Sequence, residues 1–228
     1  MQIFYEDNHL IAINKESGTL VQIDKTTDTS LETMVKEYIK EKYQKPGEVF
    51  LGVIHRIDRP VSGLVLMART SKSLERMNKS FKDREVHKTY LAIVRNKPEN
   101  TEGVLVHWLV KDPQKSITKA YNKEVKDSLR SELSYKVLAE LNGFYLLEVK
   151  PITGRTHQIR VQLASMNCPI VGDNKYGYPR ANKDRSICLH AYKLDFIHPV
   201  TKEKMTLSAS IPKDEFWQKF SQVLKNND

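Results

Sequence analysis

Short runs with the hydrophobic alternation of β-strands constrain the fold of this chain more than any other feature of its sequence. They recur along most of its length, and several place apolar and polar residues in turn, as half-buried strands do. Asn142-Gly143 separates two such runs and is a strong signal for a tight hairpin. The segments predicted to be strands are 9–14, 49–54, 63–69, 88–94, 104–110, 134–139, 144–150, 187–194 and 205–210.

Helical periodicity is restricted to fewer segments, namely 30–43, 71–84, 156–167 and 215–224. Strands joined in hairpins with a few interspersed helices predict an α+β fold with a largely antiparallel sheet. The chain has no internal repeat and no polar stretch long enough to link domains, so we predict a single domain over residues 1–228.

The predicted helix 71–84 has two distinct faces. Leu74, Met77 and Phe81 recur at spacings of three and four and form a stripe suited to the core. A second stripe is basic and consists of Lys72, Arg76, Lys79 and Lys82. A basic stripe suits a phosphate backbone, but a solvated face of charged residues explains it equally well.

Basic residues outnumber acidic ones, 37 to 28, which gives the 228 residues a formal net charge of +9. A positive surplus favours contact with nucleic acid, because neutralised phosphates release counterions. The charge alone does not separate nucleic-acid binding from a surplus of lysine that serves solubility.

The two cysteines, Cys168 and Cys188, exclude a disulfide framework and a CxxC metal motif. The N-terminus lacks a basic segment followed by an apolar one, and the longest apolar runs are too short to cross a bilayer. We therefore expect a soluble, cytoplasmic protein. The seven histidines show no HxH or HExxH spacing, and GxxxxGK[ST] and GxGxxG are absent from the sequence, which argues against metal sites and phosphate-loop nucleotide sites. The composition is compatible with a Ser–His–Asp triad, but the GxSxG motif is absent.

Residues 55–63 form the most unusual segment, because a short charged loop separates two strongly apolar runs. Polar groups placed in this way lie at the rim of a core, where rigid scaffolds hold functional side chains. Asp58 is the only carboxylate of this loop and has Arg56 and Arg59 as sequence neighbours. It is a candidate nucleophile or base, but taken alone the loop favours a structural salt bridge.

Two further residues are candidates for the same chemistry. Arg160 shares a stripe of the predicted helix 156–167 with the apolar residues Leu163 and Ala164, so we expect it to be half-buried. A half-buried arginine requires an anionic partner, for which Asp58 is a candidate. Tyr90 lies on the predicted strand 88–94 and could stack on a nucleobase, although a tyrosine in a strand more often serves packing.

Taken together, these segments resemble the RluA-type pseudouridine synthases over nearly the whole chain. The motifs that carry the resemblance are Phe4-Tyr5-Glu6-Asp7-Asn8-His9-Leu10 with Asn14-Lys15-Glu16-Ser17-Gly18, His55-Arg56-Ile57-Asp58 with Ser62-Gly63, Lys88-Thr89-Tyr90-Leu91-Ala92, Gly154-Arg155-Thr156-His157-Gln158-Ile159-Arg160-Val161, and Leu189-His190-Ala191. Glu16-Ser17, Pro60-Val61 and Gln162 depart from the family pattern. These departures bear on the substrate rather than on the chemistry.

The resemblance implies a pseudouridine synthase fold with an active-site cleft across the sheet and no S4 domain. It implies isomerisation of uridine to pseudouridine in ribosomal or transfer RNA by a monomer without cofactor or metal. Asp58 would be the catalytic carboxylate, Tyr90 would stack on the uracil and take the C5 proton, and Arg160 would pair with Asp58. The residues expected to bind the substrate are Arg56, which would occupy the space left by the flipped nucleotide, together with His55, Arg155 and Leu189.

Two other functions are compatible with parts of the sequence. An RNA-binding or RNA-folding factor that has lost catalysis would keep its function when Asp58 is replaced by alanine. A metal-free RNA hydrolase would cleave strands and would depend on a histidine such as His157 instead.

Overall fold

The computed structural model describes residues 1–23, 28–112 and 114–225. The chain divides into two compact units. Unit 1 consists of Met1–His87 and Ala191–Ser210, and unit 2 consists of Lys88–His190 and Ile211–Asp228. The single domain over 1–228 stays a prediction, as does the cleft across the sheet.

The described residues form eleven strands and five helices. The strands are β1 (Gln2–Glu6), β2 (Leu10–Lys15), β3 (Gly52–Val53), β4 (Ser62–Ala68), β5 (His87–Val94), β6 (Glu102–Asp112), β7 (Ile117–Tyr121), β8 (Leu129–Leu141), β9 (Phe144–Pro151), β10 (Leu189–Ile197) and β11 (Lys204–Ser208). The helices are α1 (Leu31–Lys42), α2 (Ser71–Lys82), α3 (Gln158–Ser165), α4 (Glu215–Lys219) and α5 (Ser221–Lys225), with a 3₁₀ turn at Asn174–Tyr176.

Strand β4 is the central strand of unit 1, and all seven of its residues are buried. Strand β2 pairs with it antiparallel along its full length up to Lys15, which lies opposite Gly63. Strand β1 extends the sheet beyond β2, and the other edge of β4 is shared by β3 and β10, with β11 outside β10. A strand buried on both faces requires an uninterrupted apolar sequence, which residues 64–68 provide.

Helix α2 packs on the core of unit 1. Thr70 caps its first turn by accepting a hydrogen bond from the Ser73 amide. Met77 is fully buried among core residues, and Leu74 and Phe81 pack against the same cluster, so the predicted apolar stripe is confirmed.

The sheet of unit 2 has the strand order β5-β9-β8-β6-β7, and every pairing within it is antiparallel. Asn142 and Gly143 join β8 to β9 with positive φ values of 53° and 73°, as a type I′ hairpin requires. The predicted hairpin is therefore confirmed, and so are the α+β class and the largely antiparallel sheet.

Some predicted boundaries were wrong for identifiable reasons. Within 49–54 only Gly52–Val53 is a strand, because this segment shares one edge of β4 with β10. The segment 215–224 forms two short helices that meet at Phe220. The short strands β1 and β7 were not predicted. None of the helices in the described ranges is long and apolar enough to cross a lipid bilayer.

The backbone of β4 at Gly63 lies close to that of β10 at Ala191. Its φ is +115°, and a Cβ added there would lie 2.3 Å from the carbonyl oxygen of Ala191. We expect Gly63→Ala to lower the free energy of unfolding by at least about 2 kcal/mol, because it combines backbone strain with a backbone clash. Urea unfolding measures this effect. Gly47→Ala is the matched control, since its Cβ would meet nothing within 4 Å. Equal stability of the two variants would contradict the close approach.

Candidate active site

The loop that carries Asp58 is tied to the end of β2 by a buried lysine. Lys15 is only 1% exposed. Its ammonium donates hydrogen bonds to the carbonyl oxygens of Glu16 (2.9 Å), Thr19 (2.9 Å) and Arg59 (3.1 Å). A lysine ammonium has three N–H donors and no acceptor, so these three bonds satisfy it completely. Lys15 therefore links the backbone of the loop at Arg59 to the segment that follows β2.

A turn at Asp58 is held against the segment that follows β2. The Val61 amide donates to the Asp58 carbonyl at 3.0 Å and closes the turn. The Gly18 amide donates to the Arg59 carbonyl at 2.8 Å, and Arg59 Nε donates back to the Gly18 carbonyl at 2.9 Å. The Arg59 guanidinium also pairs with Asp28 at 2.7 Å. The side chain of Arg59 is thus used to fasten the loop.

His55 fastens the loop on its other side. The Leu66 amide donates to His55 Nε2 at 3.0 Å, and the imidazole stacks on Phe81 of α2 with ring centroids 5.2 Å apart. Because Nε2 accepts this hydrogen bond, the ring is neutral and its proton is on Nδ1. The imidazole occupies an edge position of β4 that a neighbouring strand would otherwise fill.

Lys15 and Asp58 interact electrostatically. Burial lowers the pKa of Lys15 to about 7, while the negative charge of Asp58 acts in the opposite direction. Asp58 is half-buried, whereas Arg56 beside it is exposed. The loop therefore combines a carboxylate that interacts electrostatically with a buried lysine and an arginine that is exposed to solvent.

Tyr90 lies on β5 of unit 2 and is half-buried. Thr89, Leu91 and Ile93 alternate with Tyr90 and Ala92 along the strand, so they lie on its other face, and all three are buried. Tyr90 is directly opposite Val149 of β9. The tyrosine thus projects from a strand that is paired with β9 at this position.

Arg160 of α3 makes a buried, bidentate ion pair with Asp173. Nε lies 2.7 Å from Oδ2 and Nη2 lies 2.8 Å from Oδ1. Arg160 is 4% exposed and Asp173 is 1% exposed. The anionic partner required by a buried arginine is therefore present, and it is a residue that the sequence analysis did not name. Asp58 belongs to unit 1 and Arg160 to unit 2, so the predicted pair of Arg160 with Asp58 stays a prediction.

A tyrosine connects this ion pair to β7. Tyr176 lies one turn after Asp173, and the Arg160 guanidinium carbon is 4.9 Å from the centre of its ring. Its hydroxyl oxygen accepts from the Thr118 amide at 2.9 Å and lies 2.7 Å from His157 Nδ1. Burial raises the pKa of Tyr176. Since all these groups are packed or hydrogen-bonded, the guanidinium has little freedom to move.

The start of α3 is shaped by a buried glutamine rather than by a helix cap. His157 has a φ of 54°, so the helix begins at Gln158 and not at Thr156 as predicted. Gln158 Oε1 accepts from the Thr153 hydroxyl (2.8 Å) and the Arg155 amide (3.0 Å). These bonds close a tight turn at 153–158 that leaves Arg155 exposed.

The predicted site residues are thus distributed over both units. His55, Arg56 and Asp58 lie together in the loop of unit 1. Tyr90, Arg155, Arg160 and Leu189 lie in unit 2, where Leu189 is buried at the start of β10. Their roles stay predictions.

Three charged residues that bear on the site were missed as functional residues. Lys15 and Lys88 occur in the quoted family motifs, but no role was predicted for them, and Asp173 was not among the predicted site residues. A lysine that ends an apolar strand, as Lys15 does, is the signal that could have been used. Within 1–23, 28–112 and 114–225, no three His, Cys, Asp or Glu residues are grouped so as to hold a metal ion.

The chain is similar in sequence to proteins that are all described as pseudouridine synthases. The sequence pattern of the family described as RNA pseudouridylate synthase matches residues 9–165. The tRNA pseudouridine synthase C of Vibrio parahaemolyticus is 34% identical over 96% of this chain and 92% of its own length. The ribosomal large subunit pseudouridine synthase C of Vibrio vulnificus is 33% identical over 99% of this chain and 70% of its own.

The fold is similar to that of a solved human structure, RNA Pseudouridylate Synthase Domain Containing 4. The TM-score is 0.79 at 24% identity, and the match covers 98% of this chain and 92% of the human one. At this identity the comparison supports the fold.

The lowered pKa of Lys15 predicts a pH dependence of stability. The folded protein releases this proton near pH 7, whereas an unfolded chain holds it up to about 10.4. Between these values the unfolded chain binds more protons, so the contribution of Lys15 to the free energy of unfolding increases with pH. We expect the increase to be missing in Lys15→Met. Urea unfolding at about pH 6, 8 and 9.5 measures it, with the exposed Lys40→Met as control. Parallel pH curves for wild type and Lys15→Met would contradict the assignment.

The buried pair predicts a large effect of Asp173→Asn. The substitution keeps the shape of the side chain but leaves the Arg160 guanidinium without its bidentate counter-ion. We expect a loss of about 3–5 kcal/mol in the free energy of unfolding, as for other broken buried pairs. Asp127→Asn, at an exposed position in the loop before β8, should change stability by less than about 0.5 kcal/mol. Similar unfolding midpoints for the two variants would show that the pair is not important for stability.

Proposed function

The chain belongs to the RNA pseudouridylate synthase family, and from this premise we propose that it converts specific uridines of ribosomal RNA, transfer RNA or both into pseudouridine. The observation that carries the proposal is that relatives named for both RNA classes match almost the whole chain at nearly equal identity, 34% and 33%. We propose that the enzyme acts as a cytoplasmic monomer without cofactor or metal. A reducing compartment suits its two buried, free thiols.

Exposed lysines support an RNA substrate. Five of them lie on β6, on β7 and in the loops next to β7, and all five are exposed: Lys111, Lys115, Lys119, Lys123 and Lys126. Residue 113 of this segment lies outside the described residues. On α2, Lys72 and Lys82 are exposed, whereas Arg76 donates to the Pro199 carbonyl at 2.9 Å and Lys79 pairs with Asp83. We propose that the segment 111–126 and α2 bind phosphates of the RNA.

The reaction requires the target base to leave its stack. The bond between uracil N1 and ribose C1′ breaks, C5 bonds to C1′, C5 loses its proton and N1 gains one. A base that turns over in this way has to be extruded from the duplex or loop. Arg56 is exposed in the loop beside Asp58, so its guanidinium is available to occupy the space that the base leaves.

Asp58 is the proposed catalytic carboxylate. It can attack ribose C1′, attack uracil C6, or assist elimination to a glycal, and each route needs an ionised oxygen held in a fixed direction. The hydrogen bonds from Lys15 and Gly18 to the Arg59 carbonyl, and from the Val61 amide to the Asp58 carbonyl within the loop, supply this rigidity. The loop is preorganised in the free protein, so little binding energy is needed to orient the carboxylate.

Tyr90 and Leu189 are proposed to contact the uracil, and Arg160 is proposed to orient Asp58. A half-buried tyrosine ring offers a flat surface for stacking, and its hydroxyl is a candidate acceptor for the C5 proton. Arg160 is held by Asp173 through Nε and Nη2, so the bidentate pair fixes the direction of the guanidinium. His55, which fastens the loop around Asp58, and Arg155, which is exposed in the turn 153–158, are proposed to contribute to substrate binding.

The test is release of tritium from RNA labelled at uracil C5, since isomerisation has to expel this hydrogen. Unmodified ribosomal and transfer RNA are assayed separately with wild type, Asp58→Asn and the control Asp195→Asn, whose carboxylate accepts only from Thr206 in the contacts described. We expect release by wild type and by the control, and a decrease of about 10³-fold or more in Asp58→Asn.

The outcomes separate the possible functions. The RNA that gives release identifies the substrate class. Tight binding of both RNAs by wild type without release would instead support a non-catalytic RNA-binding factor. Strand cleavage that survives Asp58→Asn would support a hydrolase.

A further inference from the structure

A lysine beside Tyr90 has no role in the chemistry described so far. Lys88 and Tyr90 are two residues apart on β5, so their side chains leave the strand on the same face, about 7 Å apart. Both side chains are half-buried. The residues that follow each of them, Thr89 and Leu91, are buried on the opposite face of the strand. Lys88 therefore points to the same side as the tyrosine that is proposed to stack on uracil.

The ammonium of Lys88 has no hydrogen bond or ion pair within the described residues. Glu148, the nearest acidic residue on the paired strand β9, lies opposite Leu91 and so belongs to the other face, where it pairs with Lys150 at 2.6 Å. Nζ instead lies over the backbone of Gly154, since a Cβ added to that glycine would be 3.7 Å from it and would meet no other atom within 4 Å.

A cation in this position is costly without a counter-ion. Burial lowers the pKa of Lys88, and no acidic group among the described residues counteracts this effect. Removing an ammonium from water is unfavourable unless an anion compensates for it. Since the described residues supply no anion, one brought by the substrate is the natural partner.

We propose that Lys88 binds a backbone phosphate of the RNA next to the flipped nucleotide. The inference rests on the proposed function, because it takes Tyr90 as the residue that stacks on the base. A phosphodiester is the group of RNA that is fully charged at neutral pH, and a lysine ammonium suits it as a compact point charge. The open backbone at Gly154 leaves room for the phosphate beside Nζ.

The test measures RNA binding as a function of salt. Lys88→Met and Lys88→Arg are compared with Lys136→Met, an exposed strand lysine on β8. All are made in the Asp58→Asn background to prevent turnover, and the probes are unmodified ribosomal and transfer RNA transcripts. We expect Lys88→Met to weaken binding about five- to tenfold and to lower the slope of log K against log salt by about 0.7–0.9, the value of one phosphate contact. Lys88→Arg should retain most of the affinity.

Other results would overturn the proposal. Unchanged affinity and slope in Lys88→Met would exclude a phosphate contact, and an equal loss in Lys136→Met would show an effect of net charge alone. With Asp58 restored, a decrease in kcat at saturating RNA with unchanged affinity would place Lys88 at the reacting uracil instead. Lys88→Met removes a costly half-buried charge, so we expect its thermal midpoint not to fall. A midpoint equal to that of the parent protein would exclude misfolding as the cause of weaker RNA binding.

This design separates the two proposals. Absence of tritium release from wild type would refute the proposed isomerisation, whereas the salt dependence of Lys88→Met tests the phosphate contact without any turnover.

Discussion

The paired strands β2 and β4 are the constraint on which the loop around Asp58 depends. Their antiparallel register brings Lys15 opposite Gly63, at the point where the chain leaves the loop and enters the most buried strand of unit 1. The lysine is buried with its strand, and three carbonyl oxygens, together with the negative charge of Asp58, compensate for the burial of its ammonium. The same hydrogen bonds that satisfy the cation determine the path of the loop.

In unit 2, a buried positive charge is compensated by an ion pair instead of by carbonyl oxygens. Arg160 is buried on α3, and Asp173 meets it with both carboxylate oxygens. The Tyr176 ring packs on the Arg160 guanidinium, and His157 lies against the Tyr176 hydroxyl, which restricts the movement of the guanidinium. Charged groups are therefore held rigidly in both units before any substrate binds, which is the arrangement expected of an enzyme that stabilises charge in a transition state.

Most of the strands and long helices could be predicted because they follow local periodicity. The segment 49–54 could not, since its pairing is limited by competition with β10 for one edge of β4. The late start of α3 depends on the buried contacts of Gln158, which no sequence window shows. For the site, motifs gave the loop and the arginine helix, but Asp173, the observed partner of Arg160, depends on tertiary packing. The roles of Asp58, Tyr90 and Arg160 remain predictions from the family motifs.

The contact between His55 and Leu66 has a consequence for hydrogen exchange. The Leu66 amide lies in a fully buried strand, yet its acceptor is a side chain of the loop and not a backbone carbonyl of a neighbouring strand. Its exchange with solvent therefore depends on release of the imidazole, whereas the amides of β4 that bond to β2 exchange only when the sheet opens. A single backbone amide thus reports the local opening of the loop separately from the unfolding of unit 1.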